Sequence, residues 1–330
     1  VTPRWEIVDG HVESFVWTRV FGYDLTARHG DGLLGGRYYS QADLPRMHEA
    51  GMAGAVMSVA TNPFRRAEHR TRVLMSNLAH LRRSLEADPQ IAVVSGHAGY
   101  RAARADGRLA CFLGVQGANA WSRPGDVIRT PEVTRATLIH LTDSFIVATS
   151  SPLGRSRGRG GLTDLGRKYV SALNHARVLV DLAHISRRGF WDALQAHDPE
   201  LPPVVSHTGV CGVHASWRNL DDDQIRAIAN RGGVVGVMFH NGFLGRPSWR
   251  VTAQAVVAHL AHLIAVGGED VAALGSDYDG MIVPPPELRT VLGLPVLADH
   301  LLAAGFSGDR VNRVLGGNYL RVMEAVRPAS

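Results

Sequence analysis

Eight short apolar runs rich in β-branched residues, each followed by a longer stretch of helical pattern, constrain this chain more than any other feature. The runs are Ile7–His11, Ala53–Val59, Ala110–Gln116, Thr137–Asp143, Arg177–His184, Pro203–His207, Gly233–His240 and Val271–Asp277. Between them, Asp43–Ala50, Ala67–Glu86, Asp164–His175, Arg188–Ala196, Asp222–Arg231 and Ala253–Val266 repeat apolar residues at spacings of three and four, the mark of crossover helices. Near-continuously apolar strands suit a parallel sheet covered on both faces, and eight of them suit closure into a (β/α)8 TIM barrel. A doubly wound open sheet is the competing arrangement. The reading is of one domain over 1–330, with helical residues after the eighth strand forming a C-terminal extension up to Val326.

Composition narrows the partners. The chain has 330 residues, 45% hydrophobic and 20% charged, enough to bury a large core. Its formal charge of +5 comes almost wholly from scattered arginines, Lys168 being the only lysine, so no nucleic-acid footprint is present. Cys111 and Cys211 lack the paired spacing of a zinc knuckle or redox motif and read as reduced thiols. No apolar stretch approaches the roughly 18 residues of a membrane span, and Val1 to Val8 has no leader pattern. The expectation is a cytoplasmic protein with no membrane or nucleic-acid partner; a homodimer is compatible with the sequence. The Arg-, Gly- and Ser-rich stretch Ser150–Gly161 reads as a mobile loop on the rim of the barrel mouth.

The ends of the runs collect His11, Glu13, Gln116, His140, Asp143, His184, His207, His240, Asp277 and Asp279. A barrel brings such residues, far apart in sequence, to the mouth at the C-terminal ends of its strands. Imidazoles and carboxylates are the usual ligands of a catalytic divalent metal, zinc above all, and metal-assisted hydrolysis is the reaction class they suit. A single histidine is more often structural than ligating. His48, His69, His80, His97, His197, His259 and His262, which lie in helical or loop segments, are assigned to that ordinary class. Asp279 is equally explained by the turn Asp279-Gly280.

Several motifs together resemble the membrane (renal) dipeptidase family: Val8-Asp9-Gly10-His11, Asp181-Leu182-Ala183-His184-Ile185-Ser186, Ser206-His207-Thr208, Trp217-Arg218-Asn219-Leu220, Gly232-Gly233-Val234-Val235-Gly236-Val237, Gly275-Ser276-Asp277-Tyr278-Asp279-Gly280 and Gly316-Gly317-Asn318-Tyr319. The resemblance spans nearly the whole chain in order. It implies an amidohydrolase-type barrel that cleaves dipeptides with two zinc ions. His11 would ligate the first metal and His184 and His207 the second, Asp277 would handle the proton of the attacking water, and Arg218 would hold the substrate's terminal carboxylate.

Three positions depart from that pattern. His11-Val12-Glu13 replaces a His-x-Asp, Gln116 replaces a metal-bridging glutamate, and Asp143 stands where the family has a substrate-side histidine. A neutral amide oxygen bridges two dications poorly. One dication balances Glu13 and Asp277, whereas two dications with a hydroxide leave excess positive charge. The expectation is one zinc held firmly, with a second weak or absent, among His11, Glu13, Gln116, His184 and His207. Asp277, Asp143 and His140 are the candidate catalytic residues: Asp143 for a substrate amine or proton transfer, His140, two residues earlier on the same strand face, as a replacement hydrogen-bond donor. The expected activity is hydrolysis of a dipeptide or related small amide bearing a carboxylate. The alternative is a diverged enzyme performing another, even non-hydrolytic, step on a specialised small molecule.

Overall fold

The computed structural model describes residues 4–32, 34–60, 66–152 and 154–329. Residues 1–3, part of the amino-terminal reading, and Leu153, within the predicted rim loop, lie outside them.

Among the described residues, nine strands form one parallel sheet: β1 Ile7–Val12, β2 Met52–Ala60, β3 Ile91–Val94, β4 Leu109–Gln116, β5 Val133–Thr137, β6 Leu179–Asp181, β7 Val204–Thr208, β8 Val234–Val237 and β9 Ala272–Leu274. Eight follow one another around a barrel in the order β1-β2-β4-β5-β6-β7-β8-β9. Backbone bonds between the segments after β9 and β1 bring the ends together: Asp277 N donates to His11 O at 3.1 Å and Glu13 N to Tyr278 O at 2.8 Å. The Asp9 carboxylate adds a stitch by accepting the N–H groups of His11 and Ser276. The architecture is a nearly closed parallel barrel with helices outside, as the alternation of runs predicts.

Two strand assignments need correction. The fourth strand is Val133–Thr137 rather than Thr137–Asp143, so His140 and Asp143 leave the sheet and ride on the loop beyond it. The apolar run Leu138-Ile139 misled because it is buried like a strand while lying past Thr137, the last β5 residue paired with β6. Ile91–Val94 is an additional strand, too short for its periodicity to show. It pairs with Leu109–Phe112 of β4, while β5 pairs with Leu113–Gln116 farther along, so β3 and β5 share one flank of β4 in succession.

The helices are cut by their caps. Asp43, Thr163, Ser186 and Asp221 each accept a backbone N–H in the first turn, and Asp221 with Gln224 completes a capping box before Asp222–Ala229. Ala67–Glu86, Asp164–His175 and Ala253–Gly267 pack over the sheet as their spacing predicts, and Phe15–Phe21 and His97–Ala105 are further helices. Close approach explains two motif glycines. A Cβ on Gly275 would stand 1.7 Å from the Ser206 carbonyl oxygen, and one on Gly316 would stand 2.3 Å from that of Glu6. The first lets the backbone just past β9 run close to Ser206 of β7; the second seats the carboxyl-terminal helix Asn318–Val326 under the barrel. There the Asn318 amide donates to the carbonyls of Glu269 and Ala272. No helix among the described residues is long and apolar enough to cross a membrane.

Candidate metal centre and active site

At the C-terminal mouth, β1 contributes His11 and Glu13, β4 Gln116, β6 His184, β7 His207 and β9 Asp277, all buried. His184 Nε2 and His207 Nε2 lie 2.7 Å apart. The His11 ring stacks on His207 with centroids 3.9 Å apart. His11 Nε2 stands 3.5 Å from Asp277 Oδ1 and 3.7 Å from Glu13 Oε1, too far for good hydrogen bonds. One ligand atom from each of His11, His207 and Asp277 falls within a 4.8 Å cluster. Gln116 Nε2 lies 3.5 Å from His184 Nε2, so the glutamine reaches the same centre.

Burial sets the protonation states. It drives His11, His184 and His207 well below the ordinary histidine range, helped by Arg218 at all three and by Arg135 at His11 and His207, so their imidazoles are neutral with a lone pair each. Burial drives the carboxylates the other way: Glu13 rises to about 8, and Asp277 rises well above its usual value with Glu13 adding repulsion. Among the described residues, Glu13 Oε1 has no hydrogen-bond partner. Neutral imidazoles beside two carboxylates that resist ionisation form a donor set matched to a divalent cation, whose charge would relieve both acids.

Two of these residues hold unusual backbone. His184 at φ 64° and Asp277 at φ 65° are both left-handed, a conformation that costs a non-glycine residue about 1–2 kcal/mol. Each lies just past the end of its strand, where the turn swings the side chain over the mouth.

Arg218, after β7, is buried, donates to the His207 carbonyl at 2.6 Å, and is held to about 10 by burial against the attraction of Asp277 and Asp181. The pair at the fourth strand end divides. His140 meets the edge of His184 with centroids 4.9 Å apart, and burial lowers it to about 4. The Asp143 carboxylate instead accepts Thr149 N, Ser156 N and Ser156 Oγ at 2.6–3.0 Å, lacing the rim loop together. That loop is also tied to the centre through Ser150 N and the His184 carbonyl at 2.7 Å. His240 turns its Nδ1 to the N–H of Val283 and packs on Phe243. Asp279 pins Ser14, Gln41 N and Ala42 N, a wider duty than the turn anticipated for it. His259, between Val210 N and the Leu244 carbonyl, is an internal strut.

Sequence reasoning passed over the floor of the site. Arg135 on β5 is fully buried and forms an ion pair with Asp181 on β6, whose second oxygen accepts Ala183 N and Ser206 N. Its Nη2 donates to His11 Nδ1 at 2.8 Å and to Ser58 Oγ at 2.6 Å, and Nη1 reaches Ser206 Oγ at 3.2 Å. Ser206 Oγ lies 2.8 Å from His207 Nδ1. The signal was an arginine alternating with Val133 and Thr137 in a β-branched stretch, visible once the strand starts at 133 instead of 137.

A family model described as Membrane dipeptidase (Peptidase family M19) matches residues 1–330. An "Uncharacterized protein in pqqA 5'region" of Klebsiella pneumoniae is 39% identical over 169 residues, half of this chain; the chain spans 61% of the length of that curated relative. Among solved structures, a metallopeptidase of Rhodobacter sphaeroides liganded with a phosphinate mimic of the dipeptide L-Ala-D-Ala is 26% identical, with a TM-score of 0.84 over 98% of this chain and 99% of the other. The metallopeptidase dipeptidase AC is also 26% identical, at a TM-score of 0.86 over 99% and 100%. The probable dipeptidase PvdM of Pseudomonas aeruginosa, at 15% identity and a TM-score of 0.85 over 99% and 96%, shares the fold. With its motifs in order and the whole length matched, this chain belongs to the membrane dipeptidase family.

Proposed function

We propose that this protein is a metal-dependent hydrolase of dipeptides or related small amides with a free carboxylate, built around one divalent cation. The observation that carries the reading is one buried mouth in which His184 and His207 meet Nε2 to Nε2 and one ligand atom each of His11, His207 and Asp277 lie within 4.8 Å of one another, with Arg218 close by. Zinc suits this mixture of nitrogen and carboxylate donors. When bound, the cation would supply Lewis acidity and bring the acidity of water toward neutral pH.

The chain's own residues account for the rest. Arg218 offers a planar fork for the substrate carboxylate. Asp277 would take the proton of the attacking water and return it to the departing amine as the amide C–N bond breaks. His140, neutral and beside His184, is the donor available to the developing oxyanion. Asp143 acts through the rim loop. The L-Ala-D-Ala mimic bound by the Rhodobacter sphaeroides structure makes small dipeptides the first substrates to try. The free thiols Cys111 and Cys211 suit a reducing, cytoplasmic setting.

Gln116 supports a second reading, a diverged enzyme that performs a different step on a small molecule, because the bridging carboxylate expected for two-metal hydrolysis is a neutral amide here. Elemental analysis of the purified chain with a dipeptide panel, before and after chelation and zinc restoration, separates them. Bound transition metal with chelator-sensitive hydrolysis supports the first reading. No metal and no hydrolysis after added zinc overturns it, and bound metal without hydrolysis of any dipeptide favours the second.

A further inference from the structure

Arg135 cannot serve as an acceptor: a guanidinium has N–H donors and no lone pair to offer. Its contact with His11 at 2.8 Å therefore makes His11 Nδ1 the acceptor. Ser58 reinforces the assignment. Its oxygen already accepts from Arg135 at 2.6 Å, leaving its own proton to point at the same Nδ1, 3.3 Å away. A neutral imidazole with an accepting Nδ1 carries its proton on Nε2. That nitrogen faces Glu13 and Asp277.

A metal ligand needs a lone pair where the metal sits, and the nitrogen of His11 that faces the mouth has none. We infer that Arg135 leaves His11 with an N–H, not a lone pair, turned toward the carboxylates, so that the first metal position implied by the family is closed and His184 and His207 anchor a single cation. The inference rests on the metal-dependent reading above and names the residue that sets the stoichiometry.

Arg135 is built into the barrel for this placement. Asp181 anchors its far nitrogen from β6 and is itself held by two backbone N–H groups. Gly114 on β4 leaves the path clear, for a Cβ there would stand 2.8 Å from Arg135 Nη2 and 3.1 Å from Ser58 Oγ. His207, by contrast, has a serine hydroxyl as its one Nδ1 partner among the described residues. A hydroxyl can accept as well as donate, so His207 is free to carry its proton on Nδ1 and present a bare Nε2. Within one stacked pair, one ring is barred from ligation and the other permitted.

Arg135 is thus a positioning residue, tested by long-range proton–nitrogen NMR of the histidine side chains in the chelator-treated full-length chain. The His11 signals are assigned by their loss in His11→Gln. The expected pattern is a proton on Nε2 and a bare Nδ1, unchanged when one equivalent of Zn2+ is added, with His184 and His207 shifting instead. A proton on Nδ1, or a His11 Nε2 that shifts as a ligand does, overturns the inference. A second measurement is independent of spectral assignment. In calorimetric Zn2+ titrations, His11→Gln is expected to bind within about threefold of the parent, and His207→Gln to lose at least the ~100-fold typical of disrupted metal sites. Equal losses in the two variants overturn the inference. If the parent binds no Zn2+ at all, the metal-dependent reading falls, while the proton position on His11 still decides the role of Arg135.

Discussion

His184 and His207 meet nitrogen to nitrogen, Nε2 to Nε2, at 2.7 Å, in a mouth where burial keeps both rings neutral. One reaches that point by a left-handed turn at the end of β6, the other directly from β7. Two neutral imidazoles converging on one point is how proteins prepare nitrogen ligands for a cation. Replacing either by alanine should lower bound metal from about one per chain to near zero by elemental analysis, with a fall of more than about 100-fold in dipeptide kcat/KM. Retention of metal by both variants would place the cation elsewhere.

The acids give a pH dependence whose sign is determined by burial. Glu13 rises to about 8 in the folded chain from an ordinary value of 4.5, and Asp277 moves the same way. Between those limits the folded metal-free chain binds more protons than the unfolded one, so its stability must fall as pH rises. Denaturant titrations of chelated protein should show declining stability from about pH 5 to pH 8. Saturating zinc should flatten that slope, because a cation favours the ionised acids. A slope that zinc does not alter would separate these carboxylates from the metal.

Gln116→Glu adds a negative charge beside His184. It should tighten zinc binding on the order of tenfold, or ~1.4 kcal/mol, in a competition titration. The stoichiometry should remain at one, because Arg135 still occupies the Nδ1 side of His11. Two tightly bound ions in this variant would show that the bridging carboxylate alone limited the native site.

His140 and Asp143 should separate kinetically. His140 touches His184, so His140→Gln is expected to reduce kcat by about 10²–10³ with a small change in KM. Asp143 holds Thr149 and Ser156, so Asp143→Ala should loosen the rim loop, raising KM and its susceptibility to protease while leaving kcat within about threefold. The reverse pattern would return the catalytic role to Asp143.

The Arg135–Asp181 pair lies in the barrel interior with both side chains fully buried. Asp181→Ala strands a buried guanidinium and frees two backbone N–H groups, which predicts a loss of about 3–5 kcal/mol in urea unfolding. A loss below about 1 kcal/mol would mean that solvent reaches the pair.

The strand-and-helix alternation, the motif order and the set of candidate ligands were all legible in the amino-acid sequence, because each is a local property. Apolar runs and spacings of three and four report which face is buried, and a barrel brings strand ends together whatever lies between them. Three things required the tertiary structure. Whether His140 or Asp143 reaches the centre depended on where β5 ends, and a buried loop and a buried strand look alike in sequence. Whether Asp279 made a turn or tied three segments depended on Gln41 and Ser14, remote partners that no local pattern reveals. Most of all, the proton on His11 depended on Arg135, 124 positions away, whose guanidinium reaches the ring only because Asp181, Ser58 and Gly114 converge on it from three other strands. Residue identity determines which atoms can bind a metal; the donors folded against those atoms decide which of them still have a lone pair to give.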